Sequence, residues 1–201
     1  MASNNYIYKM SNAGGMSTIQ RYTDMLAGNT TWNPWEPDGA YDALATVTVP
    51  SGGLSSITFA GIPNTYKHLQ IRAAVLSTES YFRINFNNDT ASNYSWHEIY
   101  GDGSGVFAGS GSNTSFGVIE TAGPGITSTP GSLICDILDY GSTNKNKTIR
   151  TLSGYDKNGS GRIHLVSSLW RNSADAINEI DITINTGTIN QYSQFTLYGV
   201  R

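Results

Sequence analysis

Charge is scarce in this chain: Asp, Glu, Lys and Arg make up 13% of its 201 residues, about half the usual share of roughly 25%. Twelve Lys and Arg stand against 15 Asp and Glu, for a net charge of −3. No basic block exists, so nothing could neutralise a run of phosphates, and no nucleic-acid partner is expected. The one basic cluster, Lys145, Lys147 and Arg150, reads as a solvated hairpin end. Cysteine is rarer still. The single Cys135 lies in the apolar run SLICDILDY, which excludes an intrachain disulfide and predicts a buried reduced thiol rather than a nucleophile. No segment approaches the roughly 18 continuous apolar residues of a membrane helix, and MASNNYIYKM lacks the apolar region of a signal peptide. Membrane partners are therefore not expected, nor is an export signal.

Catalytic signatures are also missing. The Gly-Ser stretches GDGSG and GSGSN, within residues 101–113, read as loops and have neither the lysine nor the strand-to-helix setting of a phosphate-binding loop. No G-x-S-x-G elbow occurs. His68, His97 and His164 fall in three different strands without metal-ligand spacing. Hence no catalytic residue, cofactor or metal is expected and the chain is not read as an enzyme, although paired carboxylates for glycoside hydrolysis depend on spatial separation and stay open. YDKNGSGRI (155–163) spells half of a calcium loop, but Ser167 occupies the place of the required bidentate Glu. A hairpin turn is preferred there.

What fills the space is neutral and polar: 23 Ser, 21 Thr, 18 Asn and 22 Gly, a mixture that supplies turns and strands rather than helices. From about residue 43 the chain is a series of short alternating runs. HLQIRAAVLS sets Leu69, Ile71, Ala73 and Val75 on one face, and FRINFN does the same for Phe82, Ile84 and Phe86. About ten strands with regular turn signals predict an all-β protein, a jelly-roll-like antiparallel sandwich with one or two extra strands. Along NYSWHEIY, Tyr94, Trp96, Glu98 and Tyr100 share one face. Flat aromatics beside a carboxylate suit sugar rings and make Tyr94, Trp96 and Tyr100 candidate glycan contacts; packing into the sandwich is the plainer alternative.

The first 41 residues have a different texture, and we expect an anchoring arm (1–41) ahead of a sandwich body (42–201). Ser17 and Gln20 form a capping box, Gly28 is a stop, and a short helix is predicted over about 17–27. Met16, Ile19, Tyr22 and Leu26 form its apolar stripe, too short to stand alone in water. In WNPWEP, Asn33 and Glu36 precede prolines and are pushed to extended geometry. At three residues per turn Trp32 and Trp35 then project from one edge of a stiff ribbon. Helix and ribbon either close the chain's own core or grip a neighbour.

The phrases SSITFAGIPNTYKHLQIRAAV, ILDYGSTNKNKTIRTLSGYDKNGSGRI, LWRNSADAINEIDI and QFTLYGV resemble a group of virion proteins of tailed bacteriophages, many from phages of aquatic and photosynthetic bacteria. YKMSNAGGMSTIQRYTDMLAGN resembles the leader of some members. The resemblance spans roughly residues 42–201 and carries no catalytic motif. It implies a β-sandwich structural protein on the particle, a homotrimer, made in the host cytoplasm without a signal peptide. The expected function is capsid decoration, in which Met16, Ile19, Tyr22, Leu26, Trp32 and Trp35 anchor the chain to the major capsid protein. The alternative is a receptor- or glycan-binding module on a tail or head fibre, facing a host glycan.

Overall fold

The computed structural model describes residues 40–120 and 129–201. The expected helix over 17–27 and the six anchor residues lie outside this range. Among the described residues there is no helix. By contacts the chain divides into Met1–Asp42 and Ala43–Arg201, and the account below concerns the second unit together with the start of its first strand.

The described residues form twelve strands in order: β1 (Tyr41–Thr48), β2 (Ser56–Ala60), β3 (His68–Val75), β4 (Phe82–Phe86), β5 (Tyr94–Gly101), β6 (Val106–Thr114), β7 (Gly117–Val118), β8 (Gly131–Leu138), β9 (Lys147–Asp156), β10 (Gly161–Trp170), β11 (Glu179–Ile184) and β12 (Gln194–Val200). They form an eight-stranded sheet, β1-β12-β3-β8-β9-β10-β5-β6, and a four-stranded sheet, β2-β11-β4-β7. Set aside β5, β6, β9 and β10, and the remainder is β1-β12-β3-β8 over β2-β11-β4-β7. That is the strand order of an eight-stranded jelly roll, each of these strands leading to the opposite sheet except β4, whose successor β7 lies beside it in the same sheet. The two hairpin insertions β5-β6 and β9-β10 widen one sheet beyond the other.

Alternation explains the core. Phe82, Ile84 and Phe86 are buried while Arg83 and Asn85 between them are not, and Leu133, Cys135 and Ile137 do the same on β8. Period-2 burial puts one set of each pair between the sheets. Burial pushes the Cys135 thiol up to about 12, so it stays protonated at neutral pH, as a structural thiol does. The chain leaves β4 through Asn87 and Asn88, at φ 51° and 57°, the left-handed conformation that asparagine tolerates. Asn87 Oδ1 then accepts the N–H groups of Asn178 (2.9 Å) and Glu179 (3.2 Å), tying the turn to the entry of β11.

Two expectations are corrected. GSGSN is not a loop: it runs within β6, the edge of the large sheet. Lys147 is not solvated: it is wholly buried at the start of β9, its ammonium donating to the carbonyls of Asn172 (2.8 Å) and Asp175 and lying 5.2 Å from the Trp170 ring centre. Its position on the inward face of β9 forces the long side chain under Trp170, and the 172–175 turn supplies the oxygens. Lys145 and Arg150 of the same cluster are exposed. YDKNGSGRI is the turn of the β9-β10 hairpin, closed by Lys157 N–H donating to the Ser160 carbonyl at 2.8 Å.

Candidate functional site

The inserted strands concentrate the unusual chemistry. On their inner face the alternation brings Trp96, Glu98 and Tyr100 from β5 beside Arg162 and His164 from β10 and Ser153 from β9. Tyr100 pairs with His164, which pairs with Ser153. Glu120, just past β7, reaches the same place from the other sheet. Opposite Trp96 and Glu98 the edge strand offers only glycine: a Cβ on Gly111 would stand 2.5 Å from Trp96 Nε1, and one on Gly109 2.7 Å from Glu98 Oε1. The Gly-Ser composition of β6 is thus what lets the indole and the carboxylate lie flat along the sheet.

His164 is the hub. Only 3% exposed, it holds Nε2 at 3.1 Å from Glu98 Oε2 and Nδ1 at 3.9 Å from Glu120 Oε2. Burial, helped by the Arg162 guanidinium, drives its pKa down to about 4, so the ring is neutral at pH 7. Burial, with the Glu98 carboxylate beside it, lifts Glu120 to about 8, which keeps that acid protonated. Burial also raises Glu98, while Arg162 pulls it back. The tautomer that fits has Nε2–H donating to Glu98 and leaves Nδ1 as an acceptor facing the Glu120 acid. Arg162 lies 4.3 Å above the Tyr100 ring, whose own neighbours are Phe107 and His164, each 5.0 Å away. Four buried polar atoms here have no hydrogen-bond partner: Trp96 Nε1, Arg162 Nε, His164 Nδ1 and Ser153 Oγ. Buried groups of this kind are ordinarily satisfied. Among the described residues no His, Cys, Asp or Glu group is arranged to hold a metal ion.

The outer face of the same strands reverses the rule. Ile134, Leu152, Leu165 and Ile99 stand side by side across β8, β9, β10 and β5, each between 43% and 50% exposed. Ala108 of β6 ends the row on one side and Arg72 of β3 on the other. Ile163 and Val106, at 64% and 75%, flank it. An antiparallel sheet with one solvated face normally turns polar residues outward. Around His164 these insertions do the opposite, polar inside and apolar outside, while the next row along turns Arg150, Ser167, His97 and Ser110 outward.

Of the three proposed glycan contacts, the structure brings Trp96 and Tyr100 together on the inner face and sets Tyr94 apart. Tyr94 is fully buried and stacks on Trp170 at 6.4 Å, with its hydroxyl accepting the Phe86 N–H at 3.0 Å. It packs in the core because its ring falls where β5 still faces the smaller sheet. Sequence reasoning missed His164, Arg162 and Glu120. Spacing along one strand could not reveal a hub built from three strands, but the alternation in GRIHLVSS does place Arg162 and His164 on the face shared with Val166 and Ser168, a polar pair at inward positions. No family model, curated protein or solved structure matches this chain.

Proposed function

We propose that the chain is a structural protein of a tailed-phage-type virion, a capsid decoration protein whose N-terminal segment attaches it to the major capsid shell. The observation that carries this reading is the outward apolar row on a body otherwise coated with neutral polar residues. A contiguous exposed patch of that kind marks a protein that works inside an assembly. The resemblance of its phrases to virion proteins supplies the kind of assembly, and Met16, Ile19, Tyr22, Leu26, Trp32 and Trp35 supply the anchors. Interface energy concentrates in buried aromatic residues, so Trp32→Ala/Trp35→Ala in the full chain should weaken binding to undecorated heads at least 30-fold in a co-sedimentation titration. Unchanged binding, or density for the chain on the tail rather than the head, would sink the assignment.

A second reading, a glycan-binding module, is favoured by the unpartnered donors and acceptors around His164. It narrows the aromatic contacts to Trp96 and Tyr100 and adds Glu98. Gly111→Val forces the Trp96 indole off the edge strand. Under this reading the variant loses retention on a host-polysaccharide column that the wild type shows, with its melting temperature within a few degrees. Equal retention of the two would dismiss it.

A further inference from the structure

The apolar outer row is the part of the molecule whose occupant nothing above assigns. We propose that it is the face through which the body packs against a second copy of itself, sheet against sheet. This deepens the assembly reading and rests on its premise that the face is covered, but not on the partner being a virion.

The geometry favours a like partner. Neighbouring strands lie about 4.8 Å apart, so a row crossing β8, β9, β10, β5 and β6 extends for roughly 19 Å without a break. With Ile163 and Val106 it offers on the order of 600 Å² of apolar surface, the upper end for a monomer's largest patch and most of the roughly 800 Å² that each partner contributes to a standard interface. The neighbouring outward row reads Asp136, Arg150, Ser167, His97 and Ser110. Its two charges already neutralise each other, Arg150 Nη2 to Asp136 Oδ2 at 3.1 Å. The middle of the face thus carries no net charge, Arg72 lying at its end, so it selects no oppositely charged stranger and does not repel its own image. Across a two-fold axis, in place of the three-fold one that the resemblance implies, each Arg150 can also meet the other copy's Asp136, the self-complementarity that isologous contacts require.

The placement points the same way. On β3 of the jelly roll the outer face is polar, with Arg72 donating to Gln70 Oε1 at 2.6 Å and Gln70 to Asp136 Oδ1 at 2.7 Å, whereas β8, which borders the insertions, turns Ile134 and Leu138 outward. Apolar residues turn outward chiefly on the inserted hairpins, which the jelly roll does not need to close its core. An added element with its polarity inverted is built for a second surface.

The full-length protein, sedimented between about 1 and 100 μM, should run as a multiple of 21.7 kDa. Leu152→Lys/Leu165→Lys should bring it to the monomer mass or weaken association at least tenfold, because two lysines then lie at the centre of a dry contact. Ile163→Lys/Val106→Lys, at positions already mostly in water, gives a second measurement in which the fold is not at risk. A wild type that stays at monomer mass over the whole range overturns the proposal. So does either variant that keeps the wild-type mass, including the case where only removal of residues 1–40 dissociates the protein, which would assign self-association to the N-terminal segment. Head binding is read separately, so failure here and failure of the decoration reading are distinguishable.

Discussion

Trp170→Ala should lower the unfolding free energy by about 3–5 kcal/mol, the range for removing a buried tryptophan, and the melting temperature by roughly 10 °C. Trp170 is the largest fully buried side chain among the described residues. Its ring packs against Phe86 at 5.5 Å and stacks on Tyr94 at 6.4 Å, while Lys147 lies over its face. Its indole N–H donates to Asp89 Oδ2 at 2.7 Å. Burial alone would raise Asp89, but that bond, with those from Asn93 and the Ala91 N–H, holds the carboxyl below its ordinary value. Truncation therefore opens a cavity, removes one partner of a carboxylate and uncovers an ammonium together, which argues for the upper end. Trp170→Phe keeps most of the packing and gives up the N–H, so its loss should sit near the roughly 1.5–3 kcal/mol of a hydrogen bond to a charged group. Urea unfolding of both variants decides. Equal losses would mean that packing contributes little, and a loss below about 1 kcal/mol for alanine would mean that Trp170 does not organise this core.

How much of this was legible in advance follows from where each signal lives. β3 and β4 declare themselves by alternation over five or more residues and β8 by its apolar run, and the sandwich class follows from the number and spacing of such segments. β6 does not, because Gly109, Ser110, Gly111 and Ser112 carry no apolar period; the strand exists because β5 needs a pairing edge that leaves room for Trp96 and Glu98. Lys147 misleads for a related reason. Its charge reads as solvent-facing until the 172–175 turn supplies carbonyls, and that turn is 25 residues away. The Glu98, His164 and Glu120 cluster joins three elements and could be found only in three dimensions. The apolar row was present in the text all along, as Ile134, Leu152, Leu165 and Ile99, but alternation alone does not say which phase faces inward. On β10 the phase His164, Val166, Ser168, Trp170 wins because Trp170 and Val166 fill the core, and Ile163 and Leu165 are turned out as a consequence. That ordering ties the polar hub and the apolar row together: they are the two faces of one register, and a slip of one residue would exchange them.

The same hub gives the protein a pH profile with a definite sign. Glu120 titrates near its ordinary 4.5 when unfolded and at about 8 when folded, so between those values the folded state holds the extra proton and stability falls as pH rises. His164 has the opposite effect. Its folded value of about 4 lies below its ordinary 6.5, so the unfolded state holds the extra proton and stability rises with pH until about 6.5. The two slopes oppose each other from about pH 4.5 to 6.5, and above that only the Glu120 side remains. From pH 6.5 to 8 the Glu120 contribution alone amounts to about 2 kcal/mol at 1.36 kcal/mol per pH unit. The wild type should therefore show a nearly level melting temperature below pH 6.5 and a decline above it. Glu120→Gln keeps the shape and fixes the group as neutral. It should abolish the decline, exceed the wild type at pH 8, and leave the His164 rise exposed at lower pH. Melting curves of both proteins from pH 4.5 to 8.5 test this, and a wild-type stability that holds level or climbs between pH 6.5 and 8 would show that Glu120 is ionised in the folded protein and that the hub carries a net negative charge.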